Sequence, residues 1–514
     1  MIPFKSPQDD ILFSLRHVAE VDSVVGFDIE SARDIFSHFS TLAEEIIAPL
    51  NAPGDDVGAQ LINGRVQMPD GFKQAYAQLA SDGWQGLTVP ERFDGMGGSK
   101  FIAAGVSEIF SGANHALQMV CNLVPGAVIT LLRFGSTEQQ EEWIPRFAKG
   151  DVLSTMCLTE AGAGSDLSGI RTVAVPHNGS WRLTGEKLFI SGGDQDLSPS
   201  ILHFVLARTG STSEGVRGLS LLLCPAQPAV RVTRLEKKLG LHASPTCQLN
   251  FDGAEAELVG KEGGGLEAMF TIMNHARIDV ALQGTAHASR AASIASAYTA
   301  DRHQGRRPDG HPAVLSDHPD VQRMLDKQQI LAIGSRALCH ISLAELERSN
   351  QPVLTEFLTS LCKVTGSEAG IEAADLGIQI LGGYGYLEDY GMSQIWRDAR
   401  ITSIYEGTNG IHARGMVTRG LRNNAVVDDF VSLVRSIAVD SASIEAPLSE
   451  WQTMVGAIAD APQALAFQYQ FLRATQRLMR NAIWNKIDSV AQHHTDSQRL
   501  KALAAQVLDG ELHT

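Results

Sequence analysis

No run of about 18 uncharged apolar residues occurs in the 514-residue chain, so no stretch reads as a membrane-spanning helix. The start, Met1-Ile2-Pro3-Phe4-Lys5-Ser6-Pro7-Gln8-Asp9-Asp10, sets acids where a secretory signal needs an apolar core, and a cytoplasmic protein is the expectation. Paired cysteine spacings are missing too. Cys121, Cys157, Cys224, Cys247, Cys339 and Cys362 lie far apart, which argues against a disulfide framework or a zinc site and predicts reduced, mostly buried thiols. The 16 histidines lack ligand spacing, and adjacent His493 and His494 would point about 100° apart on a helix, so no metal is expected. A basic surplus is absent as well. The formal net charge of −16 argues against nonspecific binding to nucleic acid or an anionic membrane. An anionic substrate would need local Arg and Lys contacts against that field.

With 44% hydrophobic and 19% charged residues, the chain has the composition of a globular protein. It is too long for one core, and roughly two to four packed units are expected. Helical spacing over Asp28 to Leu50 and Phe72 to Leu79 makes the first third helical, with a Gly/Pro-rich passage at Gly83 to Gly98. Gln118 to Phe134 is a nearly uncharged stretch that reads as buried, and Ser136 or Thr137 caps the helix after it. From about Leu153 to Gly260 short β-rich runs follow one another, among them Trp181 to Thr184, Leu202 to Leu206, Leu219 to Leu223 and Cys247 to Phe251. Asn178-Gly179 supplies a hairpin turn, and an antiparallel barrel or sandwich is expected. Helix returns over Leu266 to Arg302, alanine-rich enough for close helix approach, then over Asp320 to Arg348 and through Ile371, Ala374, Ile378 and Leu381. Gly305 to His318 reads as a loop, and Phe430, Leu433, Val434 and Ile437 share one face of a further helix.

The residues with chemistry are few. Ile404-Tyr405-Glu406-Gly407-Thr408-Asn409-Gly410, shortly after Leu381-Gly382-Gly383-Tyr384-Gly385-Tyr386, offers a carboxylate on a glycine-flanked segment beside an aromatic ring. Taken alone, such a glutamate is more often a solvated loop residue than a base. Far upstream stand Met156-Cys157-Leu158-Thr159-Glu160-Ala161-Gly162-Ala163-Gly164-Ser165-Asp166 and Leu183-Thr184-Gly185-Glu186-Lys187-Leu188-Phe189-Ile190-Ser191-Gly192-Gly193. Together, in this order, the motifs resemble the acyl-CoA dehydrogenase flavoprotein family over about residues 36 to 420. Pro7 to Phe13, Ser191 to Leu197 and Lys238 to Cys247 resemble the longer branch that includes 3-methylmercaptopropionyl-CoA dehydrogenases, although the carboxyl-terminal extension is shorter than is usual there.

The resemblance implies a mainly α fold with a central β domain. Its parts would be an amino-terminal extension (1–35), a helical domain (36–153), a small antiparallel β-barrel (154–262), a carboxyl-terminal four-helix bundle (263–420) and a helical extension (421–514). It implies FAD as cofactor and α,β-desaturation of an acyl thioester, bound to CoA or to a carrier protein. Glu406 would take the α-proton while a β-hydride goes to flavin. Some relatives carry the base just before an arginine on an earlier helix, but here Ala276 fills that slot before Arg277. Closure in an apolar pocket should raise the Glu406 pKa toward neutrality. The backbone N–H of Glu406 would stabilise charge on the thioester oxygen, and Gly407 lets the chain turn there.

By the same resemblance Met156, Leu158, Thr159, Phe189 and Ser191 contact the flavin, and Tyr405, Thr408 and Asn409 complete the cofactor wall, while Gly164 and Ser165 fall in a Gly-rich cofactor-binding turn whose backbone N–H groups can approach phosphate or pantetheine atoms. Arg302 would reach the FAD pyrophosphate of a neighbouring subunit, with Gln379, Gly382 and Gly383 cradling the adenosine diphosphate. Substrate would meet Ser165, Asn274, Arg277, Glu406 and Gly407. Gly410 stands where many relatives have Gln. Plainer readings compete: a satisfied strand-end hydroxyl for Thr159, a core ring for Phe189, a helix-end arginine for Arg302, and an exposed ion pair for Arg277. Shared FAD implies a homodimer or homotetramer, and electrons would pass to an electron-transfer flavoprotein. An oxygen-using acyl-CoA oxidase is one alternative. A DNA-associated alkylation-response-type flavoprotein is another, but Leu421 to Thr514 carries eight Lys plus Arg against ten Asp plus Glu. That balance argues against DNA, and the stripe Arg473, Arg477, Arg480 reads as a solvated or docking helix face.

Overall fold

Caps written in the sequence set several helix starts. In the computed structural model, which describes residues 2–24, 27–348, 352–459 and 464–510, the Asp28 carboxylate accepts from the N–H groups of Glu30 and Ser31 and opens helix Ile29–Leu42. Ser136, not Thr137, caps helix Thr137–Ala148, in a capping box with Gln139. The apolar stretch from Gln118 divides into helices Lys100–Cys121 and Val124–Phe134, with Pro125 in the first turn of the second, where a missing N–H costs nothing. Among the described residues no single helix is long and apolar enough to cross a membrane; only this pair, bent by 42°, passes when taken together. Its residues Val120, Val124, Ala127 and Leu131 are buried.

One compact unit comprises Glu45–Ala103 and Ala113–Ala276. It carries a small hairpin, β1 (Gln60–Ile62) with β2 (Arg65–Gln67), and a larger sheet of seven strands. These are β3 (Val152–Cys157), β4 (Val173–His177), β5 (Ser180–Ser191), β6 (Ser200–Arg208), β7 (Leu219–Pro225), β8 (Val230–Leu235) and β9 (Thr246–Val259). β4 pairs β5, β5 pairs β9, β9 pairs β7 and β7 pairs β6, all antiparallel, and β6 returns to β4. The pairing of these five strands closes on itself and makes a barrel rather than a sandwich, with β3 added beside β6 and β8 beside β9. In one respect it departs from the antiparallel expectation: β3 and β4 run parallel to β6. Residues 158–199 between β3 and β6 provide the long crossover that a parallel pair needs. Asn178 and Gly179, both left-handed at φ 50° and 84°, turn the β4–β5 hairpin as their sequence predicts. Asp194, in the branch-specific run, binds the small hairpin by accepting from Arg65 Nε at 2.9 Å and from the Val66 N–H at 2.7 Å.

The other unit comprises Met1–Glu44, Ala104–Gly112 and Arg277–Thr514. Helices Gly265–Asp301, Pro319–Arg348 and Pro352–Leu381 match the periodic segments read in the sequence. Their close approach is made by glycine: a Cβ on Gly284 would lie 2.1 Å from the Gly366 carbonyl oxygen, so backbone meets backbone. The segment expected as a loop contains a hairpin, β10 (His303–Arg306) with β11 (Pro312–Val314). Proline hid it from the sequence reading; Pro312 opens its strand, a position that sheets tolerate. Beyond it come helices Asn424–Ile437, Ala442–Ala459, Gln468–Val490 and Ser497–Leu508, the residues after 510 lying outside the described set. Phe430, Leu433, Val434 and Ile437 are all buried, as their spacing predicts. Asp10, on helix Gln8–Phe13, accepts from His494 Nε2 at 3.0 Å, which ties that helix to the segment before helix Ser497–Leu508. All six cysteines are free and buried.

Candidate functional site

The helical unit bends sharply after helix Met392–Ala399. Glu406 takes φ 54° and Gly407 φ 89°, and a left-handed glutamate persists only where its surroundings hold it. Lys363, on helix Pro352–Leu381, donates through Nζ to the Gly407 carbonyl at 2.7 Å and to Asn409 Oδ1 at 3.0 Å. His412 Nε2 donates to the Glu406 carbonyl at 3.0 Å, which fixes the tautomer, and its Nδ1 accepts from Ser360 Oγ at 3.1 Å. Arg277 Nε donates to the same carbonyl at 3.4 Å. The Thr408 hydroxyl caps helix Asn409–Gly415, and the Tyr405 hydroxyl donates to Gln283, whose Nε2 donates to Asp279 at 2.8 Å.

The backbone of this turn is clamped, but the carboxylate is not. Glu406 Oε2 is shut off from solvent and has no hydrogen-bond partner among the described residues. Burial pushes the Glu406 carboxyl up to about 7, against the pull of the Arg277 and Lys363 cations and with reinforcement from Asp279. Lys363 is 0% exposed, and burial drives its ammonium down to about 7 although Glu406 favours the charged form. A carboxyl that exchanges its proton near neutrality is what general-base chemistry requires.

The barrel presents a second group. β3 delivers Met156, and Leu158 and Thr159 follow at its end, all half-buried. Lys187, 0% exposed on β5, donates to the Leu158 carbonyl at 3.0 Å and to Glu160 Oε1 at 2.8 Å. Glu160 also accepts from the N–H groups of Arg171 at 2.7 Å and Thr172 at 3.1 Å. Burial opposes its ionisation, but Lys187 and these donors prevail and hold the carboxyl below its usual range. The Leu188 N–H donates to the Thr159 carbonyl at 2.8 Å. Next to it the β5–β9 register shifts between Lys187 and Ile190, and Phe189 protrudes with φ 59° and 61% exposure. The core reading of Phe189 therefore fails: a bulge has turned the ring outward. Gly164 and Ser165 are exposed on the turn before Asp166, and Ser191 pairs with Thr246 at the end of β5.

A third group lies on the surface of the helical unit. Arg302, Gln379, Gly382 and Gly383 are all exposed, and the Arg302 guanidinium stands 5.9 Å from the Tyr384 ring centroid. A Cβ on Gly382 or Gly383 would meet nothing within 4 Å, so that backbone is open to approach. Asn274 is half-buried on helix Gly265–Asp301. Arg277, read in the plainer account as an exposed ion pair, is 8% exposed at the Glu406 turn instead.

Three family models match the chain between residues 36 and 421: acyl-CoA dehydrogenase N-terminal domain over residues 36–151, middle domain over 155–254 and C-terminal domain over 263–421. The chain belongs to the acyl-CoA dehydrogenase family. It is an oxidoreductase of that family, with FAD as cofactor. A 3-methylmercaptopropionyl-CoA dehydrogenase from Ruegeria pomeroyi is 38% identical over 506 residues, covering 92% of this chain and 85% of that protein, in line with the branch resemblance. Caenorhabditis elegans ACDH-11, solved with C11-CoA, superposes with a TM-score of 0.82 at 20% identity over 98% of this chain and 91% of its own. An acyl-CoA dehydrogenase from Bacillus anthracis, solved with FAD, gives 0.77 at 20% identity over 98% and 90%. The last two likenesses are of fold alone, and they run through the carboxyl-terminal extension.

Sequence reading missed Lys363, His412, Lys187 and Glu160. The signal for Lys363 was present: one charge inside the otherwise uncharged helical run Leu358 to Thr365. Lys187 carried less, because a lysine between Glu186 and Leu188 on an alternating strand reads as solvent-facing.

Proposed function

We propose that Glu406 is the base that takes the α-proton of an acyl-CoA in an α,β-desaturation. The observation that carries this is its Oε2, shut off from solvent and unpartnered on a left-handed turn that Lys363, His412 and Arg277 hold by its backbone. Holding the main chain while leaving the carboxylate bare keeps the base aimed without satisfying it. The Glu406 backbone N–H is the candidate donor to the thioester oxygen.

The protruding Phe189 and the exposed Gly164–Ser165 turn fit a flat ring with a polar tail, so Met156, Leu158, Thr159, Phe189 and Ser191 would hold the isoalloxazine. Tyr405, Thr408 and Asn409 are assigned to the cofactor wall through backbone and ring faces, since their polar groups already serve Gln283, Ile411 and Lys363. When bound, FAD supplies the acceptor for the β-hydride. Ser165, Asn274, Arg277 and Gly407 would meet the substrate, with Arg277 acting chiefly through the Glu406 carbonyl.

The exposed Arg302, Gln379, Gly382 and Gly383 suit the FAD diphosphate of a second copy, which makes the working form a homodimer or homotetramer. An electron-transfer flavoprotein is the proposed electron acceptor, and the cytoplasm the proposed location. The five-part division at residues 35, 153, 262 and 420 remains our reading of the chain's modules.

The test is anaerobic bleaching of the flavin across a panel of acyl thioesters. Glu406→Gln should keep its yellow cofactor and lose bleaching by about two to four orders of magnitude. Full reduction in that variant overturns the assignment, and oxygen uptake by wild type would mark an oxidase.

A further inference from the structure

The stripe Arg473, Arg477, Arg480 is half-buried. With Trp484 it lines one wall of a cleft of about 670 Å³, a volume usual for small-molecule sites. Helices Pro319–Arg348 and Pro352–Leu381 supply the other walls, with Ile330, Leu331 and Leu361 among their apolar residues.

Most charges in the cleft are matched. Arg473 pairs with Glu368 through two bonds of 2.7 and 3.0 Å, Arg477 pairs with Glu450, and Lys327 lies 3.4 Å from Glu372. Arg480 is the exception. Its Nε is shut off from solvent with no acceptor among the described residues, and so is Nε1 of Trp484, a side chain 0% exposed. These residues are four apart on one helix, so their side chains are neighbours on one face. Buried donors are nearly always satisfied, and each of these lacks an acceptor among the described residues, so water or a bound ligand must supply it. The charge of such a ligand follows from the walls. One cation is left over, and Glu368 and Glu372 also line the cleft, which suits a single negative charge and opposes a phosphate dianion or CoA.

We propose that this cleft binds an aliphatic carboxylate, its head accepting from Arg480 Nε and Trp484 Nε1 and its tail lying along Ile330 and Leu331. The site is separate from the Glu406 turn and does not depend on the function proposed for it.

The test is calorimetric titration of the purified flavoprotein with decanoate below its micellar concentration, on variants first shown by circular dichroism to melt like wild type. Wild type should bind saturably. Arg480→Met, which keeps the stem and removes charge and donor, should weaken binding at least about tenfold, and Trp484→Phe about three- to tenfold. Glu406→Gln should bind as wild type does. Three results overturn the proposal: no saturable binding, undiminished binding in Arg480→Met, or binding changed in either direction in Glu406→Gln, which would place decanoate in the catalytic site.

Discussion

Two buried lysines, one in the barrel and one in the helical unit, hold their surroundings in opposite ways. In the barrel, Lys187 is locked to Glu160 at 2.8 Å and to the carbonyl just before Thr159. In the helical unit, Lys363 bonds neutral oxygens of Gly407 and Asn409, and the nearby carboxylate of Glu406 accepts nothing from it. The first arrangement is a closed ion pair that fixes a strand end and holds the Glu160 carboxyl below its usual range. The second fixes a turn and leaves an acid and a cation that both titrate at about 7. Both fix the main chain; only the second leaves a carboxyl poised to exchange its proton near neutrality.

Lys187→Met should therefore cause the larger loss of stability. It leaves the Glu160 charge inside the barrel without its counter-ion, which typically costs about 3–5 kcal/mol. Thermal unfolding of the flavin-free protein measures this. Adding Glu160→Gln should recover part of the loss, because the uncompensated charge goes with it. If the double variant is no better than the single one, the pair is not what holds the strand end.

Lys363→Met should destabilise less, by about 1–3 kcal/mol, since it leaves the Gly407 carbonyl unpaired while Asn409 keeps its bonds to Ser367. Its clearer signature is in the chemistry. Lys363 is one of the two cations that pull the Glu406 carboxyl down, so removing it should raise that carboxyl above about 7 and move the acidic limb of kcat/KM to higher pH. An unmoved limb would separate Lys363 from the base and leave it a purely structural residue.

Glu406→Gln sharpens the contrast through pH. The folded carboxyl binds its proton up to about 7, whereas the unfolded one releases it near 4.5. Between these values the folded state holds more protons, so wild-type stability falls as pH rises across that window. The glutamine variant lacks this fall. It should match wild type at pH 4.5, and exceed it by roughly 1 kcal/mol or more at pH 7 and above, since each tenfold difference in proton affinity between the folded and unfolded carboxyl is worth about 1.4 kcal/mol. The Glu160 carboxyl should contribute no such fall there, because it titrates below its usual range and its stabilisation is lost only in acid. Melting curves across pH in both backgrounds decide the point.

Much of the fold was legible because periodicity and caps act locally: the Asp28 and Ser136 caps, the three long helices and the Asn178-Gly179 turn all fall where the residues put them. The parallel β3–β6 pair was not, since strand direction depends on a crossover whose path leaves no local pattern. At the site, Glu406 and Thr159 were named through motif resemblance. Arg277 was also named, but its contact with the Glu406 carbonyl joins residues 129 positions apart and was out of reach of sequence reading. Lys363 and Lys187 were missed for a related reason: a buried lysine is recognised by its partners, and those lie on other elements.

Phe189 offers the smallest and most specific test of the contrast between holding and acting. It and Glu406 are both left-handed residues, at φ 59° and 54°, but Phe189 projects from a bulge with 61% of its surface exposed. An exposed ring packs little, so Phe189→Ala should change the stability of the flavin-free protein by no more than about 0.5 kcal/mol. If the bulge exists to present the ring to the isoalloxazine, the same substitution should weaken FAD binding by up to about tenfold, the scale of an aromatic stacking contact. Fluorescence titration of flavin-free protein with FAD reads this directly. A large fall in melting temperature with unchanged FAD affinity would return Phe189 to the structural side of the comparison, and Thr159 would then have to orient the ring without it.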